Sequence, residues 1–321
     1  MSGPPLSLDA GAVVASCTPE RAAAAIEQAL RDGLDPAGDI PRVSATVEAG
    51  ELLLMPSGAH DGFRTPGIDH IGLKVAAVAP ANPVAGLPRV QATYLLFDAA
   101  TLALRAILDG TALTTLRTPA VSVAAVRRHL QRRGGSLTVA VIGSGPQAVG
   151  HAAALERAVG TERPCELHFV VRDPTSAAVR LAGRADVTEL GSEQANHLLG
   201  SADVVVCATS SREPVLDGDR LADHVVVIAI GSHEPDAREV DGALCRRATV
   251  VVEDPATALR QAGDVVLGIA EGALDPDELV PMRDVVTSRV ELPLDEPLLF
   301  KGVGMSWEDL VVASAIVGTV E

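Results

Sequence analysis

The run Val139-Ala140-Val141-Ile142-Gly143-Ser144-Gly145-Pro146-Gln147-Ala148 constrains the fold of this chain more than any other segment. An uninterrupted apolar stretch followed by glycines reads as a strand covered on both faces, feeding a turn and then a helix. Gly143 permits the tight turn, Gly145 lets the backbone approach a pyrophosphate, and Ala148 is small enough for close helix packing. The helix N-terminus then offers unpaired N–H groups and a partial positive charge to an anion. A lone Gly-x-Gly-x-x-Ala is weak, but here a strand precedes it and a helix and a second strand follow, as a dinucleotide site requires.

The alternation continues downstream. Strands are expected at Glu166–Arg172, Asp203–Ala208, His224–Ile230 and Ala248–Val252, with helices to about Val159, from about Ser176 and over 192–199. Upstream the pattern differs. Thr18-Pro19-Glu20 supplies an N-cap, a first-turn proline and an acid for a helix over 19–33. Closely spaced segments at Arg42–Glu48, Glu51–Met55, Ile71–Val78 and Ala92–Asp98 predict an antiparallel or mixed sheet. A helix is expected over 111–133 with Pro119 near its start, and a last one over 306–318. The fold class is therefore α/β, with a Rossmann dinucleotide-binding domain whose strand–helix alternation stops near residue 300.

Composition narrows the function. With 26 basic against 42 acidic residues the formal charge is −16, which repels nucleic acid. The four cysteines, Cys17, Cys165, Cys207 and Cys245, have no metal-ligand spacing, so no metal is expected. No apolar run is long enough to span a bilayer, and a cytoplasmic location without membrane attachment is expected. The aromatic content of 2% points to a small or aliphatic substrate.

The end of the second Rossmann strand selects the cofactor. An acid there binds the ribose hydroxyls of NAD. This chain has Phe169-Val170-Val171-Arg172-Asp173, with Val171 near the acidic position and Arg172 after it. Arg172 pairs with a 2′-phosphate, which favours NADPH over NADH. The alternative is a solvated Arg172 with Asp173 in the acidic role.

Three cations stand in apolar company: Arg42 opening a strand, Lys74 inside Ile71–Ala79, and Arg117 inside Leu113–Ala120. Together they form a clamp for a carboxylate. Taken singly, each reads equally as half of an internal salt bridge.

Motifs spread from position 41 to 309 resemble the ornithine cyclodeaminase/mu-crystallin family. They are Pro41-Arg42, Leu54-Met55-Pro56, Gly72-Leu73-Lys74, Asn82, Gln91-Ala92-Thr93-x-Leu95-Leu96-Phe97, Leu108-Asp109-Gly110, Arg117-Thr118 and the glycine loop. Further along come Gly231, Pro235-Asp236-x-Arg238-Glu239-Val240-Asp241, Gly263-Asp264-Val265-x-Leu267 and Lys301-Gly302-Val303-Gly304-Met305-x-x-Glu308-Asp309. The resemblance implies a homodimer whose α+β substrate and dimerisation domain is built from both chain ends, 1–120 with 300–321, around a Rossmann domain over 121–299. It implies that Arg42, Lys74 and Arg117 bind an amino-acid or imino-acid carboxylate, setting the salt-bridge reading aside. It also implies cofactor contacts at Thr118, Gly143, Ser144, Gly145, Gln147, Ala148, Arg172, Thr209, Ser210, Gly231, Val303 and Gly304.

Within that family, cyclodeaminases place an aspartate where this chain has His233, and a lysine where it has Ala237. The Pro235-to-Asp241 motif and Arg172 instead resemble the ketimine and 1-pyrroline-2-carboxylate reductases. The expected activity is NAD(P)H-dependent reduction of a cyclic imine carboxylate, with Lys74 and His233 as the catalytic pair. Cyclodeamination, amino-acid dehydrogenation and non-catalytic NADPH binding are the alternatives. His60, in a glycine-rich loop, reads as a surface residue. Trp307 reads equally as a pocket wall or as helix packing. Replacing Arg172 with Ala should weaken NADPH binding far more than NADH binding in a fluorescence titration; equal losses would remove the NADPH assignment.

Overall fold

The computed structural model describes residues 4–160, 163–181 and 186–320. It divides into two compact units, Met1–Val121 with Met305–Glu321, and Ser122–Gly304. The first runs through β1 (Leu6–Leu8), α1 (Ala10–Ser16), α2 (Pro19–Arg31), β2 (Val43–Val47), β3 (Gly50–Ser57), β4 (His70–Val78), β5 (Val90–Asp98) and β6 (Leu104–Asp109) into α3 (Gly110–Gln131), which crosses into the second. There follow β7 (Leu137–Ile142), α4 (Pro146–Gly160), β8 (Cys165–Val171), α5 (Pro174–Leu181), β9 (Asp186–Glu189), α6 (Glu193–Ser201), β10 (Val204–Cys207), β11 (Val226–Ala229), α7 (Gly242–Arg247), β12 (Thr249–Val252), α8 (Pro255–Gln261), α9 (Gly263–Ala270), β13 (Val280–Pro281), α10 (Met282–Val286) and β14 (Leu298–Lys301). The chain then returns to the first unit with α11 (Ser306–Val320).

The first unit is a six-stranded mixed sheet in the order β1-β6-β5-β4-β3-β2, antiparallel except for the β1–β6 pair. Alternation assigns its two faces. Leu53, Met55, Lys74, Ala76, Tyr94, Leu96, Ala106 and Leu108 are buried. Their neighbours one residue along point the other way. Helix α11 packs on this sheet through Leu310, Val311, Ala313, Ile316 and Val317, all buried. Helix α2 starts where its sequence demands, with the Thr18 hydroxyl accepting the Arg21 N–H and Pro19 in the first turn. Arg21 reaches across to the Ala315 carbonyl at 2.9 Å and ties α2 to α11.

The second unit is an all-parallel eight-stranded sheet in the order β13-β12-β14-β11-β10-β7-β8-β9. Every residue of β10, β11 and β14 is buried, as a sheet covered on both faces requires. Strand order reverses direction between β7 and β10, which places a crevice at their carboxyl ends.

Three features depart from the sequence expectations. Residues 298–301 form β14, wedged between β11 and β12, so the boundary expected at 300 would cut a central strand. Short strands β1, β6 and β9 also join sheets where none was expected: β1 pairs with the remote β6, β6 with the preceding β5, and β9 with the preceding strand β8. Pro119 lies well inside α3 rather than near its start. Tertiary packing holds the helix together across the missing N–H, since Leu116, Ala120, Val121 and Val123 are all buried.

Candidate functional site

In the first unit, Lys74 occupies the middle of β4 and faces α11, opposite Tyr94 of β5 and Met55 of β3. It is 2% exposed. Its Nζ lies 2.7 Å from Asp309 Oδ2, while Arg117 of α3 donates from Nε to Asp309 Oδ1 at 3.2 Å. Arg117 Nη1 donates to Glu308 Oε2 at 2.7 Å. One carboxylate, Asp309, thus bridges the two cations, and a second secures the guanidinium. The resemblance set the salt-bridge reading of Lys74 and Arg117 aside; the structure contains both ion pairs. The reason is that a cation in a protein interior needs a compensating charge whatever else it does.

These acids sit on the first turn of α11, and the turn explains why. Glu308 Oε1 accepts the Met305 N–H at 3.0 Å, one half of a capping box. Asp39 Oδ2 accepts the Trp307 N–H at 2.8 Å and its Oδ1 accepts the Ser57 hydroxyl at 2.8 Å. Carboxylates gathered at a helix N-terminus are favoured by its partial positive charge. Burial nevertheless pushes the Asp39 carboxyl up to about 6, against its hydrogen bonds. Burial pulls Lys74 down, Asp309 opposes the fall and Arg117 adds to it, leaving the ammonium at about 8. The Tyr94 hydroxyl is buried with no hydrogen-bond partner among the described residues. Arg42 is half-buried just before β2, three residues on from Asp39. Trp307 is fully buried and packs within α11, and His60 is exposed on its loop.

In the second unit the glycine loop joins β7 to α4. Gly143 has a φ of +121°, and a Cβ there would lie 2.5 Å from the Ala208 carbonyl oxygen. A Cβ on Gly145 would meet nothing within 4 Å, so this residue leaves the loop's face open to a phosphate. Ala148 is fully buried against the sheet. The open loop, its glycines and the start of α4 fit a dinucleotide. Behind the loop, His151 Nδ1 lies 2.8 Å from the Gln147 carbonyl and Nε2 lies 2.9 Å from the Ser122 hydroxyl. A carbonyl only accepts, so Nδ1 carries the proton and Ser122 donates to Nε2. Burial holds this ring near pKa 4, so it is neutral and fastens α4 to α3.

The loops after β10, β11 and β14 are held by buried carboxylates that sequence reasoning did not assign to the site. Glu239 Oε1 accepts the Thr209 N–H and hydroxyl, both at 2.7 Å, and its Oε2 accepts the Gly231 N–H at 2.6 Å. Glu253 accepts the Val303 and Gly304 N–H groups at 2.8 and 2.9 Å. Lys301 pairs with Asp264 at 2.9 Å and donates to the Ser232 carbonyl at 2.7 Å, beside half-buried His233. Thr209, Gly231, Val303 and Gly304 therefore shape the crevice with N–H groups already engaged. Ser210 is exposed, and half-buried Thr118 returns its hydroxyl to the Thr114 carbonyl. The signal for these acids lay in the Glu239, Asp264 and Glu308-Asp309 motifs, but their partners are distant in sequence.

Val171 is buried at the end of β8, Arg172 is exposed, and Asp173 is occupied. Its carboxylate accepts the Ser176 N–H at 3.1 Å and the Ser176 hydroxyl at 2.6 Å, capping α5. These hydrogen bonds hold its pKa below the usual range. Replacing Asp309 with Ala removes the carboxylate that Lys74 contacts and one of the two that hold Arg117, and should cost about 3–5 kcal/mol in urea unfolding. A loss below about 1 kcal/mol would mean the bridge contributes little to folding.

The ornithine cyclodeaminase/mu-crystallin family model matches residues 9–321. The chain is 31% identical over 262 residues to a Delta(1)-pyrroline-2-carboxylate reductase of Burkholderia ambifaria, covering 81% of this chain and 78% of that one. It is 28% identical to the ketimine reductase mu-crystallin of Mus musculus, covering 82% of each. The structure of Thermococcus litoralis Delta(1)-pyrroline-2-carboxylate reductase in complex with NADH and L-proline superposes with a TM-score of 0.84 at 26% identity, covering 98% of this chain and 97% of that one. The motifs, the two-unit architecture and these similarities have one reading: the chain belongs to the ornithine cyclodeaminase/mu-crystallin family.

Proposed function

We propose that this chain is an NADPH-dependent reductase of cyclic imine carboxylates such as 1-pyrroline-2-carboxylate, producing the cyclic amino acid. The observation that carries this reading is Lys74, a buried ammonium bridged through Asp309 to Arg117 and brought to about pKa 8. Such a lysine is a proton source matched to neutral pH, which an imine nitrogen requires as it accepts hydride. The similarity to reductases of cyclic imines supports the same chemistry. His233, where cyclodeaminases carry an aspartate, leaves that branch without its catalytic acid.

When bound, the nicotinamide supplies the hydride. Arg117 and Arg42 hold the substrate carboxylate, with Lys74 contributing charge. Lys74 gives a proton to the imine nitrogen, so that one hydride and one proton convert C=N to CH–NH. Asp309 keeps the lysine oriented and recovers its charge balance. Half-buried His233 follows the Ser232 carbonyl that Lys301 fixes. The glycine loop and the start of α4 take the pyrophosphate. A buried Val171, a capped Asp173 and an exposed Arg172 favour NADPH over NADH.

The open face of the first unit's sheet supports a homodimer. Val43 pairs with Leu54, Leu54 with Val75 and Leu73 with Leu95, and Val43 and Leu54 are 57% and 42% exposed. An apolar surface of this kind is characteristic of an interface. Among the described residues no helix is long and apolar enough to cross a membrane, and the acidic surface disfavours nucleic acid. A cytoplasmic enzyme of amino-acid metabolism fits these properties.

NADPH oxidation should be followed with 1-pyrroline-2-carboxylate, its six-membered homologue, and pyruvate with ammonia or methylamine, alongside ammonia release from ornithine with NAD+. Turnover of a cyclic imine is expected, and kcat/KM should fall above about pH 8 as Lys74 loses its proton. Ammonia from ornithine with no imine turnover would reject the assignment. In light scattering the wild type should have the mass of a dimer and Leu54→Glu that of a monomer. A monomeric wild type at micromolar concentration would remove the dimer.

A further inference from the structure

We propose that Arg180 is a second arginine setting cofactor specificity: with Ser144 and Arg172 it forms a subsite for the 2′-phosphate of NADPH at the carboxyl ends of β7 and β8. This inference rests on the NADPH reading above and names the residues that would produce it.

Strand register brings the first two residues together. Ile142 and Val170 are partners in the last rung of the β7–β8 ladder. Ser144 and Arg172 each lie two residues beyond that rung, at the carboxyl edge of the sheet. The adenosine ribose of a dinucleotide lies over the end of the second Rossmann strand, which here is β8.

Arg180 arrives from elsewhere. It occupies the last turn of α5, where a basic side chain ordinarily interacts with its own helix's carbonyls or with solvent. Instead it crosses to the glycine loop, with Nη2 2.8 Å and Nε 3.3 Å from Ser144 Oγ. A serine hydroxyl that accepts from a guanidinium still has its own proton to donate. The combination of two guanidinium groups and one hydroxyl suits a dianionic phosphate, whose oxygens accept from all of them.

Val171 and Asp173 leave no ribose-binding carboxylate beside Arg172. The position where an acid would bind ribose hydroxyls is buried Val171. Asp173 lies close enough to feel the charge of Arg180, but its oxygens are taken by the Ser176 N–H and hydroxyl. The Arg180–Ser144 bond is therefore a contact in which phosphate oxygens replace or share the hydroxyl as acceptor. The pyrophosphate is the competing anion, and it is common to NADH and NADPH, so the two cofactors separate the possibilities.

Dissociation constants for NADPH, NADH and 2′,5′-ADP should be measured by calorimetry on the full chain for the wild type, R172A, R180A and R180K. Arg180 is exposed, so its replacement empties no core, and thermal melting checks that each variant is folded. R180A should weaken NADPH and 2′,5′-ADP about ten- to a hundredfold while changing NADH less than about twofold. R180K, which keeps the charge and loses the fork, should fall between. Equal losses for NADPH and NADH would place Arg180 on the pyrophosphate and overturn the proposal. An unchanged R180A, with a wild type that prefers NADPH and an R172A that does not, would overturn it while leaving the NADPH reading intact. A wild type that binds NADH as tightly as NADPH would overturn both.

Discussion

Asp309 accepts from Lys74 on one oxygen and from Arg117 on the other, and this bridge joins three elements that are far apart in sequence. A sheet strand, the helix that leaves that sheet and the C-terminal helix converge on a single carboxylate. Each charge would be expensive to bury alone, and the paired carboxylates offset that cost. The same bridge sets the proton affinity of Lys74. Burial lowers the ammonium's proton affinity, and the carboxylate limits how far it falls. In the proposed reaction, folding and proton transfer would draw on one electrostatic balance.

The second unit solves a related problem with different parts. Its crevice is lined by loops whose N–H groups have no strand to pair with, and Glu239, Glu253 and Asp264 accept from them. Lys301 offsets part of this buried negative charge. The glycine loop differs in kind: Gly145 leaves its face open, and an arginine from α5 lies against the neighbouring Ser144. The distinction separates loops that shape the crevice from the loop available to phosphate. In the proposed reading, selectivity among dinucleotides rests on the end of β8, where Arg172 is exposed and the adjacent Asp173 caps a helix.

Legibility in the sequence followed the range of the interactions. The β7–loop–α4 segment was readable because its requirements are local: an apolar run, a turn that needs glycine and a small residue for close packing. The start of α2 was readable for the same reason, with cap, proline and acid in consecutive positions. Strand β14 was not, because Leu298-Leu299-Phe300-Lys301 is too short to announce itself and acquires its pairing from Val226–Ala229 and Thr249–Val252. Pro119 misled because a buried helix tolerates a missing N–H that an isolated one would not.

The sequence by itself determined the class of each unit, the position of the phosphate loop and which cations stood in apolar company. Those properties depend on residues within a few positions of one another. Only the tertiary structure decided what those cations meet. Lys74 and Asp309 are 235 residues apart, and Arg180 and Ser144 are 36 apart. Charges attract across space with no trace in local periodicity, so their partners became known only once the chain had folded back on itself.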